Sequence, residues 1–101
     1  MAKKLDGSQI HKKLKTLKGW NLVEGEIQKK YSFKDFTGSM VLVVKAALLA
    51  QSMDHHPDID IRYTKVTFSL STHDEGGITQ MDLDLAKKIE DAAGLGQKPG
   101  A

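Results

Sequence analysis

Gln51-Ser52-Met53-Asp54-His55-His56-Pro57 joins the most apolar part of the chain to its most regularly alternating part, and its reading decides the fold. A residue that precedes proline is driven out of the α region, because the pyrrolidine ring crowds its backbone. A helix arriving from Phe36 is therefore predicted to end at about His55, with His56 already extended. The two imidazoles then leave a rigid helix-to-strand corner in different directions. Histidine titrates at about 6.5 when unperturbed, so bases held at such a corner suit proton transfer near neutrality. A surface histidine pair with no chemistry is the plainer reading of His-His-Pro taken alone.

Upstream of this corner, Lys45 is the only charged residue between Met40 and Ala50. The helix over 36–54, with Asp35 or Thr37 to cap its start, is apolar nearly all round. One sheet covers only one side of it, so some of Val41, Val44, Leu48 and Leu49 are expected against another helix or another subunit. Downstream, Ile59, Ile61 and Tyr63 alternate with Asp58, Asp60 and Arg62, and then Val66, Phe68 and Leu70 with Thr67, Ser69 and Ser71. That period of two predicts a pair of strands with one apolar and one polar face, joined near Thr64-Lys65.

Farther out, Ser8 is a candidate cap for an amphipathic helix over Leu5–Lys18, with Ile10, Leu14 and Leu17 at helical spacing. Gly19 ends it. Trp20–Glu24 and Glu26–Phe33 read as a hairpin turning at Gly25. His73 to Gly77 is a loop by composition, and Thr79-Gln80-Met81-Asp82 is a capping box with Asp in place of Glu. A last helix is predicted to about Ala93, with Gly94 as its C-cap. The order α-β-β-α-β-β-α defines an α+β fold: a four-stranded, mostly antiparallel sheet with three helices on its apolar face. A single domain over 1–101 is expected, with its core at about 5–93 and a tail over 94–101.

Composition narrows the function. In 101 residues the formal net charge is +2 with acids and bases interspersed, which is not the footprint of a protein that binds nucleic acid by charge alone. The absence of cysteine removes disulfides, thiolate nucleophiles and cysteine-based metal sites. No hydrophobic region follows Met1-Ala2-Lys3-Lys4, and no apolar run is expected to reach the ~18 residues of a membrane span. The expectation is a cytoplasmic protein that neither spans nor binds a membrane. A chain this short leaves much apolar surface uncovered, which favours a homo-oligomer, dimer or tetramer.

His73 follows the second strand of the late hairpin, and His55 and His56 precede the first. Antiparallel pairing brings the chain back to its starting end, so the three imidazoles are expected at one rim of the sheet. Asp82 and Asp54 are the carboxylates placed to orient a ring nitrogen or stabilise an imidazolium.

At these residues the chain resembles the pterin-4a-carbinolamine dehydratase family, also known as a dimerisation cofactor of a homeodomain transcription factor. The resemblance rests on His55-His56-Pro57, Tyr63, Thr72-His73, and Asp82 nine residues beyond His73. Gly19-Trp20, Phe33-Lys34-Asp35-Phe36 and Leu70-Ser71-Thr72-His73 look like the family too. It implies a hydro-lyase acting on 4a-hydroxytetrahydrobiopterin without cofactor or metal. By similarity His55 and His73 are the acid and base, His56 binds and polarises the pterin, and Asp82 holds a histidine. Pro57, Thr72, Asp54 and Gln51 support the site. Gln51 stands one helical turn before His55 and is expected to touch that ring.

Three positions depart from the family pattern: Gln51 where a charged residue is common, Ile59 where tryptophan is common, and Glu75 where cysteine occurs. The competing readings are a zinc site built from histidine and aspartate, a related pterin such as one of molybdenum-cofactor chemistry, and a non-catalytic assembly factor binding a protein through the central helix.

Overall fold

A computed structural model of the chain describes residues 3–96. The predicted tail over 94–101 lies largely outside the described residues, and α3 (Gln80–Gly96) runs through Gly94 instead of ending there. Gly94 is exposed and in helical register, where glycine weakens a helix without breaking it.

The first helix is shorter than its apolar spacing predicts. α1 (Gly7–Leu14) is capped by Asp6, not Ser8. Asp6 Oδ1 accepts from the Gln9 amide at 2.8 Å, and Gln9 Oε1 accepts from the Asp6 amide at 2.9 Å. This reciprocal pair satisfies two donors at the helix start. After Leu14 the chain tightens into i→i+3 turns, with Leu17 N–H on Leu14 C=O at 3.0 Å.

β1 (Asn21–Val23) and β2 (Glu26–Ser32) form a hairpin whose two turn residues, Glu24 and Gly25, have φ of 49° and 82°. Two positive φ values give the turn a twist that matches the strands. β3 (Asp58–Arg62) and β4 (Lys65–Leu70) form the second hairpin. The sheet order is β1-β2-β4-β3 and every pairing is antiparallel, Ile27 facing Leu70 and Asp58 facing Ser69. Ile27, Val66, Phe68 and Leu70 are wholly buried on the face that the helices cover. Tyr63, expected on that face, instead occupies the β3–β4 turn with φ 53° and is 70% exposed.

α2 (Phe36–Met53) starts at Asp35, whose Oδ1 accepts from the Gly38 amide at 2.9 Å. Ser39, Leu42, Ala46 and Ala50 form its buried side, and Val41, Val44 and Leu48 are exposed. The apolar circumference expected from the sequence is therefore left uncovered by the chain's own sheet. With 18 residues and a mean hydropathy of 1.4, α2 meets the length and composition of a membrane span, contrary to the expectation that no apolar run is that long, because its few polar residues are scattered among apolar ones. Its buried side is nevertheless part of the folded core.

Candidate active site

The site is built where α2 stops. Asp54 takes the left-handed conformation, φ 51° and ψ 43°, so the helix ends at Met53, earlier than the proline rule predicts. The His55 amide returns to Ala50 C=O at 3.0 Å and the Asp54 amide to Gln51 C=O at 3.1 Å. This pairing of amides with carbonyls of the last turn is a Schellman motif. Its reversal of chain direction sends His55 inward and leaves His56 exposed.

His55 is buried, and its Nε2 lies 2.6 Å from Asp82 Oδ1. Asp82 stands in the first turn of α3 and is wholly buried. Its Oδ2 accepts from the Thr79 amide at 2.9 Å, the back half of the capping box read from the sequence, and from the Thr72 hydroxyl at 2.8 Å. Three donors thus converge on one carboxylate, an arrangement that compensates its burial. An acceptor-only carboxylate requires His55 to donate through Nε2. Among the described residues Nδ1 has no hydrogen-bond partner, and no buried side-chain nitrogen or oxygen lacks one. Nδ1 is therefore the ring atom on the open side of the site.

Thr72 connects this pair to the other predicted base. It closes a bridge with Gly77, its amide on Gly77 C=O at 2.8 Å, across the 3₁₀ turn His73–Glu75. Thr72 holds Asp82 and is followed directly by His73, whose ring is exposed. With Asp58 paired to Ser69, His56 and Pro57 lie at the same end of the hairpin.

Gln51 does not contact His55. Its Oε1 lies 3.0 Å from Nε2 of His56. The expected i→i+4 neighbour relation requires a continuing helix, and the left-handed turn at Asp54 removes it. The Asp54 carboxylate is exposed and takes no hydrogen bond among the described residues. Thr79 is the site residue that sequence reasoning missed: its place as a helix cap was legible, but its contact with Thr72 Oγ1 at 2.8 Å joins two separate elements. Among the described residues no group of three or more His, Cys, Asp or Glu side chains is placed to share a metal ion.

The fold and site define a small α+β protein with a buried His–Asp pair at one sheet end, the arrangement of general acid–base chemistry. The sequence profile of the pterin 4 alpha carbinolamine dehydratase family matches residues 3–92, and the chain belongs to that family. It is 46% identical over 91 residues to a protein of Roseiflexus sp. (strain RS-1) provisionally named pterin-4-alpha-carbinolamine dehydratase, covering 90% of this chain and 98% of that one. A similarly named protein of Sulfurisphaera tokodaii is 45% identical over 89 residues, with coverages of 88% and 96%. The crystal structure of a transcriptional coactivator/pterin dehydratase from Brucella melitensis superposes with a TM-score of 0.87 at 35% identity, covering 90% and 99% of the two chains. A pterin dehydratase-like protein described as a RuBisCO assembly factor in the alpha-carboxysome shares the fold alone, with a TM-score of 0.62 at 18% identity and coverages of 74% and 87%.

Proposed function

We propose that the chain is a 4a-hydroxytetrahydrobiopterin dehydratase working by histidine acid–base catalysis. The observation that carries the reading is the buried His55–Asp82 pair with Nδ1 open, tied to Thr72, the residue before His73, in a chain of this family. In the reaction the C4a–O bond breaks, the departing oxygen takes a proton and N5 gives one up. One water leaves and the quinonoid dihydropterin remains. A positioned acid and base accelerate such steps by about 10² to 10⁴-fold. His55, through Nδ1, and His73 fill those two roles, and His56 binds the pterin.

The test is turnover of the 4a-carbinolamine with a chelator present. His55→Ala and His73→Ala are each expected to cut it about 100-fold, with His11→Ala, on exposed α1, as the unchanged control. Wild-type rates in both histidine variants would overturn the assignment.

A cytoplasmic homo-oligomer assembled through α2 completes the reading, supported by Val44 and Leu48 at 54% and 68% exposure. Val44→Glu is expected to dissociate it in light scattering, because a carboxylate buried without a partner is costly. A dissociated variant that keeps turnover would assign that helix face to assembly and not to the site.

A further inference from the structure

The hydrogens around Asp82 can be counted, and the count gives Thr79 a role beyond capping a helix. A threonine hydroxyl has one hydrogen and two lone pairs. Thr72 spends its hydrogen on Asp82 Oδ2 at 2.8 Å, so in its 2.8 Å contact with Thr79 it can only accept. Thr79 is therefore the donor of that pair. Its own lone pair takes the Met81 amide at 3.2 Å, which fixes the hydroxyl from the other side. The chain of donation runs from Met81 N–H to Thr79, from Thr79 to Thr72, and from Thr72 to Asp82. Thr79 also gives its backbone amide to the same Oδ2 at 2.9 Å. With both of these donors on Oδ2, Oδ1 is left to His55.

We infer that Thr79 is a positioning residue for the acid–base site: its hydroxyl orients Thr72, which turns Asp82 so that Oδ1 takes the His55 Nε2 proton and leaves Nδ1 as the working nitrogen. The catalytic part of this inference rests on the dehydratase reading, while its structural part does not. Thr79 is wholly buried, so solvent cannot supply the missing donor to Thr72 from that side.

A double-mutant cycle separates this role from helix capping. Thr79→Val removes the hydroxyl and is expected to lower kcat about tenfold, the effect of one lost hydrogen bond of ~1.4 kcal/mol. In a Thr72→Val background the same change should lower kcat less than about twofold, since the link it acts through is already gone. The loss of capping, read by urea unfolding, should be similar in both backgrounds. Thr79→Ser should restore wild-type kcat. Should Thr79→Val fail to fold, Thr79→Cys, whose thiol is a poor donor, is read in the same cycle.

The imidazole resonances of His55, labelled with ¹⁵N, provide a readout independent of turnover. Thr79→Val and Thr72→Val should move the Nε2–H proton signal in the same direction, and the double variant no farther than Thr72→Val. An equal kcat loss in both backgrounds, or an unmoved His55 signal in Thr79→Val, would overturn the inference. A wild-type chain without turnover would overturn the dehydratase reading and leave the resonance test decisive for Thr79.

Discussion

α3 carries two carboxylates that each gather three donors, and only one of them belongs to a site. Asp82, in the first turn, is wholly buried and accepts from Thr72, Thr79 and His55. Glu90, two turns on, has a side chain 35% exposed. Its Oε1 accepts from Lys29 Nζ at 2.8 Å, Tyr31 OH at 2.5 Å and Trp20 Nε1 at 3.3 Å. None of the donors on Glu90 is an imidazole. Burial, followed by the adjacent Glu90 hydrogen bond and charge, pushes the Tyr31 hydroxyl far above its usual range, so it stays a donor. Asp82 instead has an imidazole among its donors, with a second ring nitrogen facing outward. The same construction clamps β2 and the chain after α1 to α3 at one end and holds the His55 ring at the other. The identity of one donor makes the difference.

Asp82→Asn is the strongest way to break this contrast. If the amide oxygen stays with Thr72 and Thr79, the amide nitrogen meets His55 Nε2, which then has to accept. The ring moves to its Nδ1–H tautomer, and the nitrogen on the open side is no longer a base. Turnover is expected to fall by about 10² to 10⁴-fold while stability falls by only about 1–2 kcal/mol. Steady-state kinetics and urea unfolding on one preparation check both halves. A large loss of stability with little loss of turnover would make Asp82 the structural carboxylate of the two.

Glu90→Gln is the matched change at the other end, and it should leave turnover at the wild-type level. Burial works to raise the Glu90 carboxyl, but the bonds from Lys29, Tyr31 and Trp20 outweigh it and hold the group below its ordinary value of 4.5. A depressed folded-state value stabilises the fold above the unfolded value. That contribution is lost as pH drops through the folded one, so the wild type should weaken below about pH 4.5. Glu90→Gln should flatten this acid limb. With a third of the side chain in water, the loss at neutral pH should not exceed about 1 kcal/mol. Trp20 is the only tryptophan and touches Glu90, so its fluorescence reports the transition. An unchanged acid limb in Glu90→Gln would show that other carboxyl groups govern it.

The same contrast separates what the sequence revealed from what it hid. Alternation over 58–70 placed both strands of the late hairpin, and antiparallel return brought the end of β4, which leads to Thr72 and His73, back to the end from which His55 and His56 enter β3. Asp82 was legible twice, as the back half of a capping box and as a partner for histidine, and both roles fall on one carboxylate. Contacts that depend on a backbone reversal were not legible. Gln51 was expected on His55 because a helix was extrapolated through Asp54, and the left-handed residue shifted its contact to His56. The Glu90 clamp draws donors from Trp20 and β2, 59 to 70 residues away, and no local period encodes such a meeting.

Asp54 supplies the smallest and sharpest test, because it is a carboxylate beside both histidines that gathers no donor. The comparison of Asp82 with Glu90 says that a carboxylate here acts through the donors it collects. Asp54 should then matter only through its backbone, which holds φ 51° at the end of α2. An L-residue in that region is disfavoured by roughly 1–2 kcal/mol, less for aspartate than for most, and glycine adopts it freely. Glycine also raises the entropy of the unfolded chain, by an amount worth about 0.5–1 kcal/mol. The two effects nearly cancel, so Asp54→Gly should change stability by less than about 0.5 kcal/mol and leave turnover intact. Asp54→Val keeps neither the carboxylate nor the tolerance for positive φ, and should both destabilise the corner and misplace His55. If Asp54→Gly instead lost turnover while folding normally, the exposed carboxylate would be acting on a histidine across solvent, and collected donors would no longer mark the functional acid of this site.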